Sequence, residues 1–337
     1  MVPGIERNGL GMTRAAAAMS SAWLVDLLQC PRCGHQDFTP ASDDSLTCST
    51  CSYRTAVRGR VADFSGEVLD DEVGVRTRAS FGYEWTEFSD WRPSGDENCR
   101  DYFTGLDLPS LAGKTVLDAG CGMGRHARFI APHAARLLAV DFSAAIDQAA
   151  RNLDELPNVA FLRADLQNLP LADASFDFIY SLGVLHHIDD TAGTIRRLIE
   201  KLRPGGRLRI YLYWKRSGWV GLLLGLVTRV RKATTRLPFG VLKPLCWILS
   251  VVLSVGVIWP YRLLAAMHVP GVESLPLFVY AKYPFRVLYN DQFDRFSAPL
   301  EKRYTAEETR QLLERAGLVD VSVIARYGWI GQGRKPA

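Results

Sequence analysis

Residues 116–125, with the sequence VLDAGCGMGR, constrain the fold of this chain more than any other segment. An apolar run contains an acidic residue, Asp118, near its end and is followed by Gly120, Gly122 and Gly124. Glycines permit a tight turn and let a ligand approach the backbone closely. A helix that starts there offers free N–H groups and positive potential to a negatively charged group. The pattern predicts a buried strand, a ligand-binding turn and a helix.

The spacing of the glycines distinguishes this turn from two common nucleotide-binding loops. A dinucleotide-binding loop has the pattern GxGxxG, whereas this turn has GxGxG, and Arg125 stands where the third glycine would be. A P-loop is also excluded, because no Gly-Lys-Ser/Thr follows. The alternative that remains is a doubly wound domain that binds another nucleotide or none.

Strand and helix patterns alternate from residue 113 to 213. The predicted strands are residues 115–119, 137–140, 159–163, 176–181 and 207–213, and the predicted helices lie near 124–131, 143–153 and 191–202. Such alternation indicates βαβ units and a parallel sheet. Further on, residues 305–317 predict a helix with Thr305 as its N-cap, and 319–325 and 329–334 a terminal hairpin.

Acidic residues lie at the ends of three consecutive predicted strands. Asp141 lies 21 residues after Gly120, which is the spacing at which an acid can reach ribose hydroxyls. Asp165 could accept a hydrogen bond from an exocyclic amine such as that of adenine. With Asp118, these acids would line one crevice of a doubly wound sheet, where ligands bind.

These motifs together resemble the class I S-adenosylmethionine-dependent methyltransferases, in particular the group called type 11. The matching stretches are VLDAGCGMG, AVDFS, RADLQNLPLADASFDFIYSLGVLHHI and LRPGGRL. The resemblance implies an α/β fold with a doubly wound, seven-stranded Rossmann-like sheet and S-adenosylmethionine as cofactor. It also implies the cofactor-binding residues, which are Asp118, Gly120, Gly122, Gly124, Asp141, Phe142, Asp165, Leu166 and Ser181. Among these, the glycine turn would hold the methionine part, Asp141 the ribose, and Asp165 with Leu166 the adenine.

Two adjacent histidines are the candidates for acid–base catalysis. A sulfonium already activates its methyl group, so the protein must position the nucleophile, exclude water and, for some acceptors, remove a proton. His186 could remove that proton or position the acceptor, and His187 could instead pack at the start of the next helix. Asp291, Asp294 and Tyr304 are weaker candidates, which we interpret as surface or packing residues.

Four of the seven cysteines form two CxxC pairs, Cys30/Cys33 and Cys48/Cys51, separated by 14 residues. This spacing can bring four thiolates into a tetrahedron, and such a closed site is structural. Zinc is the predicted metal, and iron in a rubredoxin-like site is the alternative. An odd cysteine count with clustered pairs suits a reducing compartment, so we expect a cytoplasmic protein.

Residues 23–64 predict a small unit that a metal would stabilise, because about forty residues bury little core. The sequence LVDLLQCPRCG…LTCSTCSYRTAVRGRVADF is similar to the Trm112-like zinc-ribbon proteins. Free-standing members of that family bind and activate methyltransferases. The resemblance implies support for the adjoining unit, recognition of a partner, or stabilisation of this end of the chain.

Residues 214–303 interrupt the α/β rhythm with an apolar insertion. Pro244 and Pro260 predict a helix confined to residues 245–259, about 22 Å long, which is shorter than a hydrocarbon core of about 30 Å. We expect first a helical cap that walls an apolar pocket and second, compatible with it, peripheral membrane contact through residues 217–270. The second expectation is favoured by five basic residues, Arg229, Arg231, Lys232, Arg236 and Lys243.

The predicted organisation follows from these segments. It comprises a flexible N-terminus (1–22), the zinc ribbon (23–64), a connector and cofactor lid (65–112), the methyltransferase core (113–213), the cap (214–303) and a closing helix and hairpin (304–337). The aromatic residues 81–91 would cover the cofactor or pack between domains. The apolar run at 15–19 is too short for a signal peptide.

The expected function is methyl transfer from S-adenosylmethionine to the oxygen, nitrogen or carbon of a small, largely apolar or lipid-like acceptor. The alternative is an RNA-modifying methyltransferase whose ribbon binds RNA or a partner. A net charge of only +4 argues against nucleic acid, which we do not expect as a ligand. The protein would be cytoplasmic, with membrane association as a second expectation.

Overall fold

The computed structural model of the chain describes residues 22–41, 44–67, 72–88 and 95–337. The expectations for the N-terminus before residue 22 and for Trp91 fall outside these residues. The strands, in chain order, are β1 (Phe38–Ala41), β2 (Ser45–Cys48), β3 (Arg54–Arg58), β4 (Val61–Asp63), β5 (Thr115–Ala119), β6 (Arg136–Asp141), β7 (Val159–Arg163), β8 (Phe176–Leu182), β9 (Leu202–Leu212), β10 (Val319–Arg326) and β11 (Gly328–Arg334).

Ten α-helices lie in the described part of the chain. They are α1 (Glu72–Glu87), α2 (Gly95–Tyr102), α3 (Arg125–Ile130), α4 (Ala145–Asn152), α5 (Thr191–Lys201), α6 (Gly218–Thr234), α7 (Phe239–Leu253), α8 (Trp259–Ala266), α9 (Phe285–Ser297) and α10 (Ala306–Arg315). Short 3₁₀ turns include Ala22–Leu27 and Leu185–His187. The predicted cap of α10 is confirmed, because Thr305 and Glu308 form a reciprocal capping box.

The sheet has eleven strands in the order β1-β2-β3-β4-β7-β6-β5-β8-β9-β11-β10. Strands β4 to β9 run parallel where they neighbour one another, and the hairpin β10–β11 joins β9 in antiparallel fashion. The predicted number of seven is therefore wrong for the whole sheet. The seven expected strands, β5 to β11, are present, but the edge of β7 is extended by four strands from the cysteine-containing segment.

Residues 22–64 share their sheet and core with the rest of the fold. Val61 of β4 pairs with Phe161 of β7. The guanidinium of Arg60 donates to the carbonyls of Leu153, Leu156 and Val159 at 3.1–3.2 Å. The buried apolar side chains of this segment, such as those of Leu28 and Leu46, belong to the same cluster as those of β5 and β6. This segment therefore does not depend on a small core of its own.

One long helical stretch runs through the insertion. Helix α7, a π-helical turn at Ser254–Ile258, and α8 follow one another without a break from Phe239 to Ala266. The predicted limits at residues 245 and 259 are therefore wrong. Pro244 lies near the start of α7, and Pro260 follows the π turn, so each removes a hydrogen bond without ending the helix.

Candidate functional site

A cavity of about 390 Å³ lies at the carboxyl ends of β5, β6, β7 and β8. In a parallel sheet this is the edge at which ligands bind. Six of the nine predicted cofactor residues line the cavity: Gly120, Gly122, Asp141, Phe142, Asp165 and Leu166. The structure thus brings together the ends of three strands that are far apart in the sequence.

The glycine turn between β5 and α3 requires glycine at each of its three positions. Gly120, Gly122 and Gly124 have φ angles of +90°, +53° and +87°, which side chains rarely adopt. A Cβ on Gly120 would lie 2.4 Å from Cγ2 of Val184, and one on Gly124 would lie 2.7 Å from Cδ1 of Leu153. Gly120 therefore keeps the turn close to the cavity wall, whereas Gly124 permits close packing behind it.

Asp141 connects the glycine turn to the end of β6. Its Oδ2 accepts the N–H of Gly122 at 2.9 Å, and its Oδ1 accepts the N–H and hydroxyl of Ser143 at 2.9 and 2.7 Å. A carboxylate offers about four acceptor sites, so about one remains for a ligand. Burial raises the pKa of Asp141, while the bonds from Ser143 and Gly122 act in the opposite direction. Asp141 therefore shapes the turn and still presents an acceptor to the cavity.

The end of β7 provides the second acidic wall. Asp165 lines the cavity, and its Oδ1 accepts the N–H of Gln167 at 2.9 Å. Phe142 lines the same part of the cavity, and the guanidinium of Arg78 lies 5.8 Å from the centre of its ring. A planar base in this part of the cavity could thus contact the acid Asp165, the aromatic ring of Phe142 and the apolar side chain of Leu166.

Three of the predicted cofactor residues do not line the cavity: Asp118, Gly124 and Ser181. Ser181 is buried and donates its hydroxyl to the carbonyl of Ala119 at 2.7 Å, so it joins β8 to β5. Asp118 is 1% exposed, and burial raises its pKa to about 8, with a further contribution from the charge of Asp141. Asp118 and Ser181 therefore support the turn from beneath in this structure.

Helix α1 forms the outer wall of the cavity. Val73, Thr77, Phe81 and Trp85 recur every fourth residue and all line it, so they share one helix face. Trp85 lies over the glycine turn, because a Cβ on Gly122 would be 3.4 Å from its Nε1. The lid expected at residues 81–91 thus begins about two helical turns earlier, at Val73. The four-residue spacing of Val73 and Thr77 was the signal that could have found it.

The two histidines occupy different environments. His187 lines the cavity, and its Nδ1 lies 2.6 Å from the carbonyl oxygen of Leu300. A carbonyl only accepts, so Nδ1 carries the proton and Nε2 has a free lone pair. Burial lowers the pKa of His187 to about 4, so its ring is neutral at pH 7. His186 is fully buried behind it, 3.9 Å from the ring centre of Tyr213, and does not line the cavity.

The apolar insertion supports the lid from the side opposite the cavity. Tyr83 of α1 stacks on Phe239 at 4.8 Å between ring centres, and the hydroxyls of Ser80 and Ser297 lie 2.7 Å apart. Of the described residues 214–303, Leu300 alone lines the cavity. The expectation that the insertion walls the pocket is therefore wrong, since α1 lies between the two.

The weaker candidates from the insertion are packing residues. Asp291 accepts the hydroxyl of Tyr280 at 2.7 Å, and burial raises the pKa values of both Asp291 and Asp294. Tyr304 donates its hydroxyl to Oγ1 of Thr191 at 3.1 Å. The cavity residues that sequence reasoning missed include Val73, Gly74, Thr77, Arg125, His126, Gln167 and Val184. Arg125 and His126 follow the glycine turn directly, which was the available signal.

The four predicted thiolates lie together, with their sulfurs within 4.8 Å of one another. The Sγ atoms of Cys30 and Cys51 are 3.5 Å apart, and those of Cys33 and Cys48 are 3.6 Å apart. Sulfurs around a tetrahedral metal with bonds of about 2.3 Å are about 3.8 Å apart, whereas a disulfide needs about 2.05 Å. The donor set therefore fits a tetrahedral metal ion and does not form disulfides.

Residues 117–210 match the family described as a methyltransferase domain. The chain is 34% identical over 158 residues to the 27-O-demethylrifamycin SV methyltransferase of Amycolatopsis mediterranei (strain S699), covering 45% of this chain and 56% of that protein. It is 36% identical over 157 residues to the O-methyltransferase resE of Aspergillus sclerotiorum, covering 43% and 59%. The chain thus spans less than two thirds of the length of these relatives.

A similar solved structure is that of the Burkholderia thailandensis 1,6-didemethyltoxoflavin-N1-methyltransferase with bound 1,6-didemethyltoxoflavin and S-adenosylhomocysteine. It is 16% identical, with a TM-score of 0.48, and covers 89% of this chain and all of that one. The family match spans β5 to β9, and it contains both the glycine turn and the acids at the ends of β6 and β7. Residues 117–210 thus resemble a methyltransferase domain in sequence, and the match includes the turn and the acids that line the cavity.

Proposed function

We propose that this chain transfers a methyl group from S-adenosylmethionine to a small, largely apolar or lipid-like acceptor. The observation that carries the proposal is the composition of the cavity. Backbone and carboxylates of the sheet form one wall, and Phe81 and Trp85 of the lid form the other. The named relatives support methylation of metabolites, since they are called a rifamycin methyltransferase and an O-methyltransferase.

The residues on the sheet side fit the cofactor. When bound, S-adenosylmethionine supplies a methyl group on a positively charged sulfur, which needs no further activation. The turn at Gly120 and Gly122 lets its backbone approach a ligand without a side chain between them. The free acceptor of Asp141 suits a ribose hydroxyl, and Asp165 beside Leu166 and Phe142 suits an adenine. The carboxylates also favour a ligand of positive charge.

His187 is the residue that we assign to the acceptor. With its Nδ1–H donated to Leu300, the neutral ring offers Nε2 as a hydrogen-bond acceptor toward a hydroxyl or amine. Such a bond orients the nucleophile and can receive its proton as the methyl group is transferred. The lid excludes water from the same space. His186 has no place in this step, because it lies behind His187.

The four thiolates would hold zinc as a structural ion. Closed four-sulfur sites have no open coordination position, so the ion would stabilise the segment rather than take part in the reaction. Cys30 and Cys48 are buried against the shared core. Their ordering would therefore support strands β1 to β4 and, through them, the edge of β7.

Calorimetry on the full chain tests the cofactor assignment. We expect binding of S-adenosylmethionine and S-adenosylhomocysteine, and no binding of NAD⁺ or ATP. Incubation with labelled S-adenosylmethionine and either lipid extract or tRNA then tests the acceptor class, and label should enter the organic-soluble products. Label in tRNA would contradict the proposed class of acceptor. If the folded protein bound neither S-adenosylmethionine nor S-adenosylhomocysteine, the proposed function itself would be contradicted.

A further inference from the structure

The insertion presents a continuous apolar stripe to solvent. Its members recur every third or fourth residue along α7, the π turn, α8 and the residue after it, and each is 48–64% exposed: Val241, Leu245, Ile248, Val252, Val255, Trp259, Leu263 and Met267. This period places them on one face of the helix. From first to last the stripe is about 39 Å long at 1.5 Å per residue. We call these eight residues the outer stripe.

Helix α6 adds a second exposed apolar row. Leu222, Leu226 and Val230 are spaced by four residues and are 79%, 55% and 45% exposed. Helices α6 and α7 both pack on α9. Isolated apolar residues on a surface are ordinary, but two helices with this many exposed large side chains mark an interaction surface.

The charged residues of α6, α7 and α8 are all basic. The sequence contains no aspartate or glutamate from residue 201 to 272. Arg229, Lys232 and Arg236 are exposed at the end of α6 and just after it. Trp247 and Trp259 are exposed on α7 and α8, and this residue type favours the boundary between apolar and wet surroundings. Basic residues, tryptophans and apolar rows together complement a bilayer with anionic headgroups.

The inner face of the same helix determines how it can meet a bilayer. By length and composition, Phe239–Ala266 could cross a membrane, and in the described residues it is the one helix that could. Its inner side chains, Leu242, Cys246 and Ser250, are buried, and α9 packs against this helix. Helix α9 carries Asp291 and Asp294, which would be costly in hydrocarbon. These buried contacts with α9 argue against a helix that crosses a membrane, and they leave only its outer face available to a bilayer.

We propose that the outer stripe and α6 dock this protein on the surface of an anionic lipid bilayer. A second copy of the chain is the less favoured occupant, because a two-fold contact would bring Arg229, Lys232 and Arg236 of both copies together. The docking helix also contacts the lid, since Phe239 stacks on Tyr83. Docking would therefore place the lid near the bilayer, which is where a lipid-like acceptor would be found; this last point depends on the proposed function.

Vesicle flotation of the full chain, without cofactor, tests the proposal. We expect binding to vesicles of phosphatidylcholine with a minority of phosphatidylglycerol, weaker binding to pure phosphatidylcholine, and loss of the difference at high salt. Because no methyl transfer is measured, this result is independent of the proposed function. Absence of binding to anionic vesicles at low ionic strength would overturn the docking surface.

Three variants sharpen the test. Val252→Glu and Leu263→Glu place a charge in the outer stripe and should each weaken partitioning about tenfold or more. Replacing Arg229, Lys232 and Arg236 by serine should weaken it roughly a hundredfold on anionic vesicles only. The matched control is Val319→Glu, an exposed valine of β10, which should bind like wild type.

Thermal unfolding and S-adenosylhomocysteine affinity show whether each variant is folded. Equal partitioning of wild type and the stripe variants would overturn the proposal. So would a wild-type dimer in solution that Val252→Glu converts to a monomer, because a second copy would then occupy the stripe.

Discussion

The imidazole of His187 is fixed by a main-chain carbonyl: its Nδ1 lies 2.6 Å from the oxygen of Leu300. This bond sets the tautomer in which Nε2 carries the lone pair, on a residue that lines the cavity. We expect His187→Ala to lower kcat about a hundredfold, the usual scale of lost acid–base assistance. Affinity for S-adenosylhomocysteine, measured by calorimetry, should change less than twofold. A kcat close to wild type would remove His187 from the reaction, and an equal loss of cofactor affinity would indicate a structural role.

Asp141 connects the turn to the ligand, so its replacement should affect cofactor binding first. We expect Asp141→Ala to weaken binding of S-adenosylmethionine by about 1–3 kcal/mol, the scale of a lost charge-assisted hydrogen bond. Asp320→Asn changes an acid of β10, at the far edge of the sheet, and should leave calorimetric affinity unchanged. Unchanged affinity in Asp141→Ala would defeat the ribose assignment.

Gly120 can be tested against a glycine of the same cavity. Gly120 and Gly183 both have positive φ, but an added Cβ would lie 2.4 Å from Cγ2 of Val184 at Gly120, whereas at Gly183 it would meet nothing beyond its chain neighbours within 4 Å. Gly120→Ala should therefore weaken cofactor binding far more than Gly183→Ala, which carries the backbone strain alone. Adding Val184→Ala should recover part of the loss. Equal losses in the two single variants would show that contact with Val184 is not the cause.

Asp118 should make stability depend on pH. Its folded pKa, raised to about 8, exceeds the ordinary value of 3.8, so the folded state holds an extra proton between those values. Stability should thus fall as pH rises from about 4 to about 8, with a slope of at most about 1.4 kcal/mol per unit. Asp118→Asn should flatten this slope in urea unfolding. An identical slope in the variant would mean that Asp118 is ionised throughout that range.

The four thiolates predict one equivalent of metal per chain. Cys48→Ser should lose the metal and lower the unfolding temperature, because the ligands order a segment joined to the sheet. Cys246→Ser, at a buried cysteine outside the cluster, should keep the metal. Elemental analysis distinguishes zinc from iron. Full metal retention in Cys48→Ser would count against a four-thiolate site.

The local patterns of the α/β core were sufficient to predict most of its elements. Predicted and observed bounds coincide for Thr115–Ala119 and Val159–Arg163 and differ by a few residues elsewhere, because apolar runs and glycine punctuation are local signals. The pairing of β4 with β7 was not predictable in this way. It depends on two strands about a hundred residues apart, and no local pattern specifies such a partner.

In the site, too, features set by local sequence motifs were predictable, and features set by contacts between distant residues were not. The turn glycines and the acids at strand ends belong to motifs, so their positions could be read from the sequence. The proton position on His187 depends on Leu300, and the role of α1 as the outer wall depends on how the insertion packs behind it. The helix at Phe239–Ala266 is longer than Pro244 and Pro260 predicted, because the cost of a proline in a helix depends on its hydrogen-bond context.

The parallel pairing of β4 with β7 also covers a strand that would otherwise lie at an open sheet edge. A fragment that starts at Thr115 would contain the whole family-matched stretch, yet the backbone N–H and C=O groups along one side of Val159–Arg163 would be bare. Open strand edges of this kind recruit further chains and aggregate. Strands β1 to β4 of the cysteine-containing segment thus cover the edge of β7 and would protect it from pairing with other chains.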